Sequence, residues 1–263
     1  PSELHGLDYL LRNYIVTEPK KRTPIDIDKL IDGDSFDRRR VLPEEEAQKY
    51  VGKIHPYITG RGFSRRTLKR YEVGYDEELH AVTFPVRTSS GELRFISKRF
   101  VHRKGFLNEK NIDKKDIIYG LCYILQSSTK ITEIDLTESI TDTMACYEAK
   151  RPAGAVLGRI LFKEQVRELI KAGIRTVNLF FDNDRYGVEA TLKAYILISK
   201  MSPIRVNVVK YPGGHWGIDG TDGFLYKDAN DLLLAGKMNE IDIVPYDEFL
   251  ISLNKSGLMD INE

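Results

Sequence analysis

The sequence predicts two architectures in series: a basic α+β lobe carrying an antiparallel sheet, then a parallel α/β lobe. Three observations lead there. Two β-rich stretches, HAVTFPVR and ELRFISKRFV, are separated by Thr88-Ser89-Ser90-Gly91, a hairpin signal. Beyond Thr129, short apolar runs alternate with helical patterns, as in a parallel sheet whose crossovers are helices. Charge divides along the same line. Between Arg61 and Lys115 there are 14 Lys and Arg against 7 Asp and Glu, although all 263 residues together carry a formal net charge of only +1. The remainder of the chain is therefore acidic, at about −6.

Taken in order, residues 1–42 read as an irregular N-terminal segment or linker, with a short helix near Leu7–Tyr14 and the charged DGDSFDRRR after it. The basic lobe is assigned to residues 43–128. It opens on a helix that starts with Pro43 and three glutamates and shows one apolar face of Tyr50, Val51, Ile54, Tyr57 and Ile58. Ser64 is placed to cap a short basic helix, which Gly74 is expected to end. The second lobe, residues 129–240, has strands expected at Ile131–Leu136, Ala153–Leu157, Thr176–Phe181 and Arg205–Tyr211. Helical stretches at Thr141–Ala149, Phe162–Ala172 and Val188–Ser199 come between them, and Gly173 is a C′ candidate. Residues 241–263 read as a tail or linker.

Cys122 and Cys146 are the only cysteines, without C-x-x-C spacing, which argues against a disulfide framework or a zinc ribbon and fits a reducing cytoplasm. No apolar run approaches the ~20 residues of a membrane span.

The chemistry gathers in the second lobe. LFFDNDRYG ends an apolar run on Asp182 and Asp184, two carboxylates that repel each other unless a cation or water intervenes. An isolated D-x-D is more often a solvated turn. Here Glu138 falls at the end of the first strand and Asp228 in the loop after the fourth, so three strand ends on one sheet edge deliver four acids. Helix capping could explain Asp228 alone, and Asp142 equally well. It does not explain the pair after one strand together with Glu138 at the matching end of another.

TESITD at Thr137–Asp142, FFDNDRYGVEA at Phe180–Ala190 and KDANDLL at Lys227–Leu233 resemble the motifs of the Toprim fold, with Ser139 standing where Gly is common and Gly187 matching a small residue. YITGRGFSRRTLKRYEVGY, VTFPVR, ELRFISKRF, KGFLN and IIYGL resemble, in that order, the N-terminal part of the RNA-polymerase domain of DnaG-type primases, and the loop style is similar to phage or plasmid primases and primase-helicases. The resemblance runs from about Tyr50 to Leu234.

What it implies is a DNA primase core making short RNA primers on single-stranded DNA from NTPs, with two Mg²⁺ or Mn²⁺ ions. Asp182, Asp184 and Asp228 are then metal ligands, Glu138 is a ligand or the general base, and Asp142 and Gly187 have supporting roles. Lys98, Arg99, Lys104, Asn108 and Arg61 are candidates for nucleotide and template phosphates, with Arg65 and Arg66 on a neighbouring helix. Phe106 and Tyr119 could stack bases or pack in a core, while His215 and Trp216 sit in a Gly-rich loop with open roles. A replicative helicase is an implied partner, on the same or another polypeptide, and the expected location is the cytoplasm, that of the host for a phage protein. Two rivals are a Toprim nuclease using the same acids and a non-enzymatic DNA-binding scaffold.

Overall fold

The computed structural model describes residues 41–103, 105–108, 112–213 and 225–255. The expected helix near Leu7–Tyr14, Lys104 and the loop holding His215 and Trp216 lie outside them. The first sheet runs β1 (Gly74–Asp76), β2 (Ala81–Arg87), β3 (Leu93–Phe100), β4 (Phe106–Leu107), in that spatial order and antiparallel throughout. The predicted hairpin joins β2 to β3, with the Gly91 N–H donating to the Thr88 carbonyl at 3.0 Å. Pro85 sits inside β2 without conflict: β1 pairs only with Ala81–Thr83, so beyond that point no strand among the described residues asks one side of β2 for an N–H.

The expected helix across Tyr50–Ile58 is replaced by two single turns, α1 (Glu45–Gln48) and α2 (Pro56–Thr59). Val51 makes a β-bridge to Gly74, which pulls the chain out of helical geometry, and Pro56 cannot continue a helix from before it. Pro56 instead starts α2, with the His55 imidazole accepting from the Tyr57 N–H at 3.1 Å. Ser64 caps α3 (Arg65–Arg70) as expected, accepting from the Thr67 N–H at 3.3 Å. The helix stops at Arg70, however, and Gly74 opens β1 instead of closing α3.

The second sheet has four parallel strands, β5 (Glu133–Thr137), β6 (Ala153–Ala155), β7 (Thr176–Leu179) and β8 (Arg205–Lys210), in the order β6-β5-β7-β8, with a fifth strand beyond β8. The helices are α4 (Leu121–Leu125), α5 (Ile140–Glu148), α6 (Lys163–Lys171), α7 (Arg185–Met201) and α8 (Ala229–Leu234). Gly173 takes φ +75° just past α6, and the Ile174 N–H returns to the Leu169 carbonyl at 3.0 Å, as a C′ glycine should.

One expectation fails at the far end. The stretch from 241, read as tail or linker, supplies β9 (Asp242–Pro245), antiparallel to β8, and α9 (Tyr246–Lys255). Tyr246, Phe249 and Leu253 are buried with Val188, Leu192 and Val208, so this strand and helix finish one flank of the sheet.

The largest core cluster crosses between the sheets. Phe84 and Phe95 of the first share it with Met144 and Cys146 of α5, Phe180 and Leu232. The basic lobe is thereby packed directly against the helices that follow the acidic loops.

Candidate metal and active site

From β5 the chain turns to one side, to β6. From β7 it turns to the other, to β8. The crevice beyond the carboxyl ends of β5 and β7 is the topological switch point, where open α/β sheets collect ligands. Leu136 and Leu179 are paired in register, so Glu138 and Asp182 leave adjacent strands at the same edge. They touch: the Asp182 N–H donates to Glu138 Oε1 at 3.3 Å.

Each acid also has a local reason to be where it is. Asp184 caps α7, its Oδ1 accepting from the N–H groups of Tyr186 at 2.9 Å and Gly187 at 3.0 Å. A Cβ on Gly187 would collide with the Asp182 carbonyl, so only glycine lets α7 start this close to the loop. Asp228 caps α8, accepting from the Asp231 N–H at 2.8 Å. Asp142, in the first turn of α5, is 3% exposed; it accepts from the Ser139 hydroxyl at 2.5 Å and from the Asn230 N–H at 3.3 Å. Ser139 is the α5 N-cap, which gives its side chain a use that glycine could not supply.

Two asparagines that the sequence reading passed over hold the loops together. Asn183 is fully buried, with its N–H donating to the Lys227 carbonyl at 2.6 Å and its side-chain amide to the Tyr226 carbonyl at 3.1 Å. The Asn230 amide donates to the Arg61 carbonyl at 2.9 Å, joining α8 to the basic lobe.

Crowding of carboxylates sets the electrostatics. Burial, then the neighbouring charge of Asp182, pushes the Glu138 carboxyl up to about 8. Burial also raises Asp182, to about 6, with Lys227 pulling against Asp228 and Asp184. Asp142 and Asp228 are raised as well, in both cases by burial first. Among the described residues, positive charge does not offset the burial of these acids. What they have is Lys227, whose ammonium lies 3.2 Å from Asp182 and 3.4 Å from Asp184. Nothing in the string KDANDLL says that the Lys227 side chain turns back to the preceding acids. Arg159 was also missed. It follows β6 at the same edge, lies over the Tyr186 ring at 4.4 Å, and is near enough to draw the Glu138 pKa down.

As they stand, the described residues contain no group of three or more His, Cys, Asp or Glu set to hold a metal ion. The donor set is nonetheless all oxygen and short of positive charge, which suits a hard divalent cation once the ammonium withdraws.

On the basic side the candidates separate. Arg99 donates to the Tyr57 hydroxyl at 2.7 Å and lies over the Phe106 ring at 5.0 Å. Arg61 reaches the same hydroxyl at 3.4 Å and is close enough to lower the Asp228 pKa. Lys98, one residue along β3, is already engaged: it pairs with Asp76 at 2.7 Å and lies over the Tyr50 ring at 4.7 Å. Successive strand residues face opposite ways, so Lys98 and Arg99 cannot serve the same surface. Asn108 is exposed just after β4, whereas Tyr119 is buried and belongs to the core.

Residues 136–233 match the family described as Toprim-like. A DNA primase of Chlamydia pneumoniae is 27% identical over 240 residues, covering 76% of this chain and 39% of that protein. The chain thus spans well under half the length of that relative. Among solved structures, a DnaG primase catalytic domain bound to single-stranded DNA aligns with a TM-score of 0.60 at 17% identity, covering 79% of each chain. The primase fragment of the bacteriophage T7 primase-helicase protein aligns at 0.55 and 18%, covering 85% of this chain and 81% of that one.

Proposed function

We propose, from the premise that this chain has the DnaG-type primase core fold around a Toprim-like domain, that it joins ribonucleotides into short primers on a single-stranded DNA template. One observation supports this above the others: Glu138, Asp182, Asp184 and Asp228 share one sheet edge, and Arg61 ties that edge to Tyr57, Arg99 and Phe106.

Primer growth brings a 3′-hydroxyl against the α-phosphate of an NTP and expels pyrophosphate. Two divalent cations, Mg²⁺ or Mn²⁺, would hold the attacking and departing oxygens and neutralise their charge. Asp182, Asp184 and Asp228 would supply the oxygens that hold them. Glu138, beside Asp182, completes that set or takes the hydroxyl proton. Arg61 and Arg99 face phosphate, and the exposed Phe106 offers a ring on which a base can stack. The DNA strand, the NTPs and a replicative helicase are the partners this reading requires. The similarity to a fragment of a phage primase-helicase supports the last. No described helix is long and apolar enough to cross a membrane.

The test supplies template, NTPs and Mg²⁺ or Mn²⁺. Net addition of nucleotides is expected, where a nuclease would only shorten strands. Asp182→Asn or Asp184→Asn should abolish synthesis without unfolding the protein, and primer yield at the wild-type level in either would overturn the assignment.

A further inference from the structure

A second concavity lies behind the sheet, away from the acids. Its position follows from the topology. Asp142 is in the first turn of α5, while the cleft is bounded by Tyr147 and Glu148 at that helix's other end and by the start of β6. At 1.5 Å per residue the two places are about 10 Å apart along the helix. The cleft holds about 530 Å³, within the range of small-molecule sites.

Its lining joins two chemistries. Tyr147 is half-buried and offers the open ring of the cleft, backed by Tyr71 and Tyr123, which are buried; Tyr71 is edge-on to both at 5.1 and 5.6 Å between ring centroids. Arg66, Arg70 and Lys150 supply positive charge around it. Arg70 is fixed in place, its guanidinium 5.0 Å from the Tyr147 ring and donating to the Tyr123 carbonyl at 2.7 Å. Arg66 and Lys150 are exposed, and among the described residues no ion pair engages either. The carboxylate in the cleft, Glu148, is turned to the Ser64 N–H at 2.5 Å, and Arg151 is held by Asp135. Positive charge beside aromatic faces selects a ligand that is flat at one end and anionic at the other.

We propose that this cleft binds a nucleotide unit, base against Tyr147 and phosphate toward Arg66 and Lys150, independently of the acidic edge. The unit could be a free nucleoside triphosphate or a residue of a single strand, which offer the same groups. Nothing in this assignment depends on primer synthesis, and a binding measurement decides it.

The experiment uses the full chain carrying Asp182→Asn, in EDTA, so that the acidic edge cannot bind nucleotide through a metal. A fluorescent ATP analogue is titrated and then competed with ATP, a short oligothymidylate or inorganic triphosphate. Saturable binding is expected, weakened about tenfold by Arg66→Ala and by Lys150→Gln, the loss expected for one charge-assisted contact. Ser127→Trp, at the cleft margin, should block it. Thermal melting of each variant checks that the fold is kept. Competition by ATP or by the oligonucleotide supports the site, and the tighter competitor names the source of the unit. Absence of binding, binding indifferent to all three substitutions, or triphosphate competing as well as ATP would overturn the proposal.

Discussion

At the scale of single residues, Lys227 and Glu138 hold opposite ends of one electrostatic problem. The Lys227 ammonium lies between Asp182 and Asp184, the place the proposed metal site assigns to a divalent cation. Metal entry must displace it. Lys227→Met should therefore tighten Mn²⁺ binding by about tenfold, roughly 1.4 kcal/mol, measured by titration against the free-ion signal. The same change should lower the melting midpoint in chelator, because the carboxylates lose their counter-charge. Unchanged Mn²⁺ affinity would show that the ammonium does not compete. Glu138 carries a pH dependence of its own. Its folded-state pKa, about 8, lies above that of an unfolded glutamate, so the folded state favours the protonated form. Metal-free stability should be greatest in acid as far as this group is concerned, and should fall as pH rises from about 4.5 to 8. In Glu138→Gln that part of the fall should be missing from a melting series in EDTA. An equal slope in both proteins would refute the shift. The acids were legible in the sequence because strand ends identify them. Lys227 was not, since its meaning depends on a side chain folding back over the loop.

Among elements, the start of α7 leaves the least room. Gly187 meets the Asp182 carbonyl where any side chain would have to be, so Gly187→Ala must shift the loop or the helix. A cost of about 3 kcal/mol is expected, at the upper end for overpacking, read as a lower denaturant midpoint. Primer synthesis should fall as well, because Asp182 and Asp184 move with the loop. A variant of wild-type stability would mean that the loop tolerates the displacement. The glycine is marked by the resemblance of its stretch to a Toprim motif, and the alternation that predicts β5 to β8 is equally clear. Other elements were harder. The apolar spacing from Tyr50 to Ile58 suits a helix, but Val51 is taken by a bridge to Gly74, a partner more than twenty positions away that spacing alone cannot reveal. Four-residue β9 has only one buried position and so carries almost no periodic signal.

For the whole molecule, the shared core packs the basic lobe against the helices that follow the acidic loops, and so sets which face the proposed nucleic-acid contact would use. Arg99 faces Tyr57 and Phe106 at the acidic side, and Lys98 faces Asp76 on the other. Arg99→Ala should weaken binding of single-stranded DNA and reduce the salt slope by about 0.7, the share of one phosphate contact on a single strand. Lys98→Ala should leave that slope alone and cost about 1–3 kcal/mol of stability by stranding a buried carboxylate. Equal effects on DNA binding would return Lys98 to the interface. The pairing of charge with lobe was visible from composition, but which of two adjacent cations serves the surface required the register of β3.

The order of the second sheet also bears on synthesis by the ribosome. β8 is flanked on one side by β7, made earlier, and on the other by β9, made more than thirty residues later. Until Asp242–Pro245 emerges, the growing chain offers an open, β-branched edge, RVNVV, with Val208 deprived of the aromatic cover of Tyr246 and Phe249. Such an edge is a template for strand addition by another nascent chain. Stalled or prematurely released polypeptides ending before residue 242 are thus the species expected to aggregate, and holding that edge apart until translation passes it is the task left to chaperones.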